Sequence, residues 1–217
     1  MNAASLTRNA PHSAELRVGG LTRLSTCDWP GELVATIFCQ GCPWDCGYCH
    51  NPHLIPATSD DTTLWAEVLA FLESRRGLLD GVVFSGGEPT LQTALPAAIQ
   101  QVRALGFRIG LHSAGPYPGR LAQVLPLIDW IGFDVKAAFG EYQRVTGVPG
   151  SGRKGRASLM KVLASGVQCD IRTTVHDRLL DAAALKRLSD ELEILGVPAH
   201  RLQAFRTAGC INPDLVG

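Results

Sequence analysis

The sequence predicts an α/β fold, an open partial barrel of about six βα units around a parallel sheet. Three observations predict it. Short apolar runs alternate with helix-like stretches along nearly the whole chain, which is the pattern of βαβ units. At 217 residues the chain falls short of the about 250 typical of a closed eight-stranded barrel. Polar and glycine-rich segments follow the apolar runs, so chemistry gathers at one end of the sheet, where such folds carry it. A flat doubly wound sheet is the alternative topology.

Taken in order, residues 1–14 mix polar types without an apolar stretch and read as a disordered tail with no secretory signal. Residues 15–210 read as one core domain and 211–217 as a C-terminal tail. Residues 16–39 form a short ribbon around Gly19-Gly20 and Pro30-Gly31 that leads into a buried strand at 33–38. Further strands are expected at 81–84, 108–111, 130–133, 169–175 and 200–205. Helices are expected between them at 63–75, 91–105, 120–127, 156–164 and 181–195, with Gly106, Gly196 and Pro198 at joints. The segment 147–156 is glycine-rich and basic, and reads as a solvated connection rather than a phosphate site.

Lysine plus arginine equals 20 and aspartate plus glutamate equals 20, so the formal net charge is zero. That argues against a surface tracking nucleic acid or anionic lipid by bulk charge. Hydrophobic residues at 46% and charged residues at 18% describe an ordinary globular chain. No stretch approaches the ~18 uncharged apolar residues of a membrane span. A soluble, cytoplasmic protein is expected.

Seven cysteines are an odd number, and Cys39, Cys42, Cys46 and Cys49 crowd one short segment. Such clustering in a chain without a secretory signal points to metal or redox chemistry rather than a disulfide framework. Cys42, Cys46 and Cys49 form C-x3-C-x2-C on a loop. A cubane iron–sulfur cluster is normally held by four thiolates, so three leave one iron open, the mark of a catalytic metal. Cys39 extends the run to C-x2-C-x3-C-x2-C, which also reads as a four-thiolate zinc site or a closed electron-transfer cluster. Against that, Cys39 ends an apolar strand, where a free cysteine behaves as a small hydrophobe, and zinc knuckles pair their halves across a longer separation. Cys27, Cys169 and Cys210 read as core or surface thiols.

The cysteine motif, with Tyr48 just before its last member, resembles the radical S-adenosylmethionine enzymes. Asp28-Trp29-Pro30-Gly31, Cys39-Gln40-Gly41-Cys42 and Tyr48-Cys49-His50-Asn51-Pro52 narrow the resemblance to glycyl-radical-enzyme activases. Within these the chain is most similar to activases of anaerobic ribonucleoside-triphosphate reductase, over residues 16–210. The resemblance implies a [4Fe-4S] cluster on Cys42, Cys46 and Cys49, and S-adenosyl-L-methionine as cosubstrate. It further implies an oxidoreductase that cleaves the cosubstrate reductively to place a glycyl radical on that reductase, fed by a donor such as flavodoxin or ferredoxin. No acid–base dyad is needed.

The other motifs gain meaning beside that loop. Gly86-Gly87-Glu88-Pro89 would by itself be a strand-to-helix turn, and the resemblance makes it the holder of the cosubstrate's amino group. Asp134 and Lys136 at period two share one side of a strand end, either as a local ion pair or, by resemblance, reaching the cosubstrate. Arg172 inside an apolar strand is costly unless paired. That cost suggests an inward-facing contact, and the resemblance makes Arg172, Thr174 and His176 candidates for ribose or carboxylate contacts. Tyr48 and His50 flank the last cysteine, His50 being either an iron ligand or a neighbour of the adenine. His112 lies near the site by topology alone, and Arg206 is a candidate for substrate docking. Trp29, Trp44, Trp65 and Trp130 read as packing. The short chain, with no accessory domain after the sixth strand, favours a macromolecular substrate. The alternatives are activation of pyruvate formate-lyase or another glycyl-radical enzyme, a small-molecule radical reaction such as deazaguanine precursor synthesis, or a non-catalytic zinc or iron–sulfur module.

Overall fold

The computed structural model describes residues 15–216, so the tail expected at 1–14 lies outside the described residues. Seven strands, β1 (Val18–Ser25), β2 (Val34–Cys39), β3 (Gly81–Gly86), β4 (Arg108–Ser113), β5 (Trp130–Asp134), β6 (Gln168–Val175) and β7 (His200–Ala204), form one sheet in sequential order. β2 to β7 run parallel, and β1 pairs antiparallel with β2. The six parallel strands are those expected, and β1 is the first arm of the ribbon. A doubly wound sheet requires the strand order to reverse. Here it never does, and among the described residues β1 and β7 end the sheet without pairing to each other, so the barrel is open.

Helices α1 (Trp65–Glu73), α2 (Leu95–Ala104), α3 (Pro118–Val124), α4 (Tyr142–Thr146), α5 (Ser151–Ser165), α6 (Ala182–Ile194) and α7 (Pro213–Val216) link or follow the strands. α2 starts later than the periodicity suggests because Pro89–Leu91 forms its own 3-10 turn and Gln92 is extended. Pro96 then sits in the first turn, where its missing N–H costs nothing. Among the described residues no helix is long and apolar enough to cross a membrane.

Strand alternation divides the sheet into two faces. Ala35, Ile37, Val82, Phe84, Ile109, Leu111, Ile131, Phe133 and Ile171 belong to the large core under the helices. On the concave face Val34, Val83 and Trp130 join Trp29 in a separate cluster, with the two indoles stacked at 5.4 Å. This is the floor of the barrel. Gly110 makes room for it, since a Cβ there would stand 2.9 Å from the Trp29 ring. All four tryptophans are buried, as expected of packing residues.

The segment 147–156 is not a solvated connection. Gly147, at φ 70°, caps α4, and α5 begins at Ser151, five residues earlier than the expected start at 156. Ser151 is buried, with its hydroxyl 2.8 Å from that of Thr146. A Cβ on Gly152 would lie 1.8 Å from the Phe139 carbonyl oxygen, and one on Gly155 would lie 2.7 Å from the Tyr142 ring. The glycines therefore let a helix close onto its neighbours, while Arg153, Lys154 and Arg156 form its exposed face. Gly152→Ala is expected to cost about 2–3 kcal/mol in chemical denaturation, because the obstacle is backbone. Gly119→Ala, which meets open space inside α3, is expected to be neutral or to stabilise by about 0.5–1 kcal/mol.

Candidate active site

A cavity of about 640 Å³ opens at the carboxyl ends of the parallel strands. Its wall collects Cys42, Cys46, Cys49, Tyr48 and His50 from the loop after β2, and Gly86, Gly87 and Glu88 after β3. His112, Asp134, Lys136, Arg172 and Thr174 come from the ends of β4, β5 and β6. These residues, and Arg206 beyond β7, therefore line one space. His176 stands apart from them. Its Nε2 donates to the Leu215 carbonyl at 3.2 Å, and its Nδ1 accepts from Arg178 N–H at 3.2 Å. That ring is engaged by the C-terminal segment and does not line the cavity.

The cysteine loop is held through its backbone. Gly41, at φ 98°, turns the chain out of β2, and Gly41 and Cys42 donate to Leu54 and Ile55 carbonyls at 2.8 and 3.0 Å. Asp45 and Gly47 donate to Thr146 and Val145 at the end of α4, each at 3.0 Å. Trp44 meets Tyr142 edge-on at 5.9 Å. Cys39 points the other way. It is fully buried in the helix-side core and does not line the cavity. Cys27 is exposed at the cavity rim, while Cys169 and Cys210 are half-buried.

Burial pushes the Cys42 thiol up to about 12. It pushes Cys46 up to about 11, with Lys136 pulling back in part, and raises Cys49 as well. The thiols are thus protonated at neutral pH, and binding a metal group there would release protons. Among the described residues no group of three His, Cys, Asp or Glu side chains is drawn together as a single-ion site. An iron–sulfur cluster would not require it, because its thiolate ligands need not meet at a single ion. Three thiols on one loop facing one cavity, with the fourth turned into the core, fit a cluster with three protein ligands.

Beside the thiols stands a charge group in which Arg172 is buried and Asp134 and Lys136 are partly buried. Arg172 Nε donates to Asp134 Oδ1 at 2.5 Å, and Lys136 Nζ lies 3.5 Å from Asp134 Oδ2. Burial would raise the Asp134 carboxyl, but Arg172 and Lys136 outweigh it and hold it well below the usual carboxylate range. Burial likewise works against the Lys136 ammonium, yet Tyr48, Asp134 and Cys46 together hold it well above the usual lysine range, and of these Asp134 is the one ionised at neutral pH. Lys136 also lies 5.3 Å over the Tyr48 ring. The Tyr48 hydroxyl is buried with no partner among the described residues. Lys136 has one long ion pair for three donors, so it can take an anionic group from the cavity.

His112, placed by the sequence only through topology, is central to the layer below. Its Nε2 faces the Asp28 carbonyl at 2.7 Å and its Nδ1 faces the Ser85 hydroxyl at 3.1 Å. A carbonyl only accepts, so Nε2 carries the proton and Nδ1 accepts from Ser85. The Arg172 nitrogen 3.4 Å from Nε2 is then a donor facing a donor, not a hydrogen bond. Asp28, quoted above only within its motif, accepts from the Thr36 hydroxyl at 2.6 Å. The strand parity of Thr36, Ser85, His112, Asp134 and Arg172 was the available signal for this layer.

Glu88 is 2% exposed and ties two strand ends together. Oε1 accepts from Thr90 N–H and hydroxyl and from the Ser113 hydroxyl, and Oε2 accepts from Ala114 N–H at 3.1 Å. Burial raises its carboxyl and these donors pull it back. Gly87 lets the turn pass the cysteine loop, because a Cβ would lie 2.3 Å from the Gly41 carbonyl oxygen. His50 donates from Nε2 to the Arg206 carbonyl at 2.7 Å and stacks on Phe205 at 5.4 Å.

The sequence pattern of the Radical SAM superfamily matches residues 36–184, and the chain belongs to that superfamily. Over 76% of this chain and 70% of its own length, a protein of Methanocaldococcus jannaschii named as a glycyl-radical enzyme activating enzyme is 29% identical. The pyruvate formate-lyase-activating enzyme of Clostridium pasteurianum is 27% identical over 89% of this chain and 83% of its own length. The fold is similar to the solved structure of native anSMEcpe with bound AdoMet, with a TM-score of 0.63 at 14% identity, covering 77% of this chain and 49% of that one.

The His112 environment sets a pH dependence. Burial first, and Arg172 second, lower its pKa from the ordinary 6.5 to about 4. Above pH 6.5 the ring is neutral whether the chain is folded or unfolded. As the pH falls toward 4 the unfolded chain takes up a proton that the folded chain refuses, so stability is lost, by at most about 3 kcal/mol at pH 4. Denaturant titrations from pH 7 to 4 are expected to show this slope, and His112→Gln to flatten it.

Proposed function

We propose that this protein is a glycyl-radical-enzyme activase, with a [4Fe-4S] cluster on Cys42, Cys46 and Cys49 and S-adenosylmethionine bound beside it. The observation that carries the reading is the convergence of three thiols, the Gly86–Gly87 turn and the Asp134–Lys136–Arg172 charge group on one cavity. Relatives named as activating enzymes, aligned over most of the chain, support it. When bound and reduced, the cluster supplies the electron that cleaves the sulfonium of S-adenosylmethionine.

The chain's own residues bind, orient and exclude water. The Lys136 ammonium takes the cosubstrate carboxylate, while Asp134 holds Lys136 and Arg172 in place and is itself kept ionised. The carbonyls of the Gly86–Gly87 turn accept from the amino group. Glu88 serves this turn from behind, since its oxygens are engaged with Thr90, Ser113 and Ala114. Arg172 and Thr174 face the remaining polar part of the ligand, and Tyr48 closes the space beside Lys136. The open side of the barrel at β7 admits the glycine of a partner polypeptide. The motifs around Asp28 and Tyr48 favour anaerobic ribonucleoside-triphosphate reductase as that partner, with flavodoxin or ferredoxin as donor.

Anaerobic reconstitution separates the two halves of the site. Alanine at Cys42, Cys46 or Cys49 is expected to abolish formation of 5′-deoxyadenosine, whereas Cys39→Ala keeps iron and activity. Lys136→Ala is expected to keep its iron but to bind S-adenosylmethionine about 10- to 100-fold more weakly in calorimetry, the scale of a charge-assisted contact. Zinc in place of iron, or loss of the cluster in Cys39→Ala, would reject the ligand set.

Mixing the reconstituted protein with S-adenosylmethionine, a reductant and the anaerobic reductase is expected to give a glycine-centred EPR signal on the reductase. Mutation of the reductase's radical-bearing glycine is expected to remove it. A signal on pyruvate formate-lyase alone would keep the activity class and overturn the partner.

A further inference from the structure

After β7 the chain returns to the cysteine loop, and its contacts there include Gly47, the residue after Cys46. Asn212 Nδ2 donates to the Gly47 carbonyl at 3.1 Å, and the Cys210 thiol lies 3.8 Å from the same oxygen. Next along, the Gly209 backbone lies so close to the His50 carbonyl that a Cβ would stand 2.3 Å from its oxygen. Gly47 N–H in turn donates to Val145 at 3.0 Å. Gly47 is thus held at both of its backbone polar groups, its N–H by α4 and its carbonyl by Asn212.

We infer that Asn212 is a positioning residue, clamping Gly47 so that Cys46 and Cys49 keep their spacing toward the cavity. Of all residues glycine reorients its backbone most easily, and a swing of Gly47 would redirect both Tyr48 and Cys49. With both of its polar groups bonded it cannot swing freely.

Asn212 is itself anchored. Its Oδ1 accepts from Asp214 N–H at 3.1 Å, which leaves Nδ2 aimed at Gly47. The buried Leu215 pins α7 to the body, and His176 and Arg178 donate to the Leu215 and Asp214 carbonyls. This gives His176 a role outside the cavity. Asn212 lies beyond the stretch matched by the superfamily.

The inference rests on the proposed cluster for its consequence, but not for its geometry, and the test keeps the two apart. Asn212→Asp preserves the acceptor that caps α7 and removes the donor to Gly47. Asn212→Ala removes both. In metal-free protein, hydrogen exchange of the Gly47 and Cys49 amides is expected to be about fivefold faster in both variants, the change that one ordinary hydrogen bond commands. The thermal midpoint is expected to move by less than about 3 °C. In reconstituted protein, iron release to a chelator is expected to accelerate similarly and the EPR signal of the reduced cluster to shift. If Asn212→Asp matches the wild type in exchange and iron release while Asn212→Ala does not, Asn212 is only a helix cap and the clamp is overturned. Faster exchange in a protein that takes up no iron in any form would keep the clamp and refute the cluster.

Discussion

A strand shows successive side chains to opposite faces, and in a parallel sheet of sequential order every strand ends on the same side. The molecule depends on this constraint. One face of β2 to β6 is apolar and covered by helices. The other carries a graded series, with an indole floor at Trp29 and Trp130, a hydrogen-bonded layer of Thr36, Ser85 and His112, then Asp134, Arg172 and the thiols. Moving any strand by one residue would exchange the two faces and bring core residues into the cavity.

Burying charge is costly, and the structure offsets that cost locally. Asp134 stands between two cations, which outweigh the upward pull of burial on its carboxyl. The Arg172 guanidinium is saturated on one side by Asp134 and bounded on the other by a neutral imidazole. Lys136 is left with capacity for another anion. Net charge is zero over the chain, so attraction for an anionic ligand comes from this local arrangement and not from a long-range field.

Much of this was legible in the sequence. Alternation of apolar runs and helical periods marked six parallel strands, and the spacing of Cys42, Cys46 and Cys49 marked the loop. Three features were not. The glycines at 152 and 155 signalled close helix packing, which composition cannot distinguish from a flexible loop. His176 looked equivalent to Thr174 by strand parity, but Leu215 in the returning C-terminal segment claims its ring. Glu88 resembled a ligand group in its motif, whereas the hydroxyls that satisfy it, Thr90 and Ser113, lie on two different segments. Each of these turns on a contact beyond the local pattern, Gly152 with Phe139, His176 with Leu215 and Glu88 with Ser113.

The central claim is that cosubstrate and cluster share the one cavity at the strand ends. It is tested most directly by electron–nuclear double resonance on the reduced, anaerobically reconstituted protein with S-adenosylmethionine labelled with nitrogen-15 at its amino group. A coupling between that nitrogen and the cluster spin is expected. A cluster signal unchanged by the cosubstrate, with no nitrogen-15 coupling at saturating concentration, would contradict it.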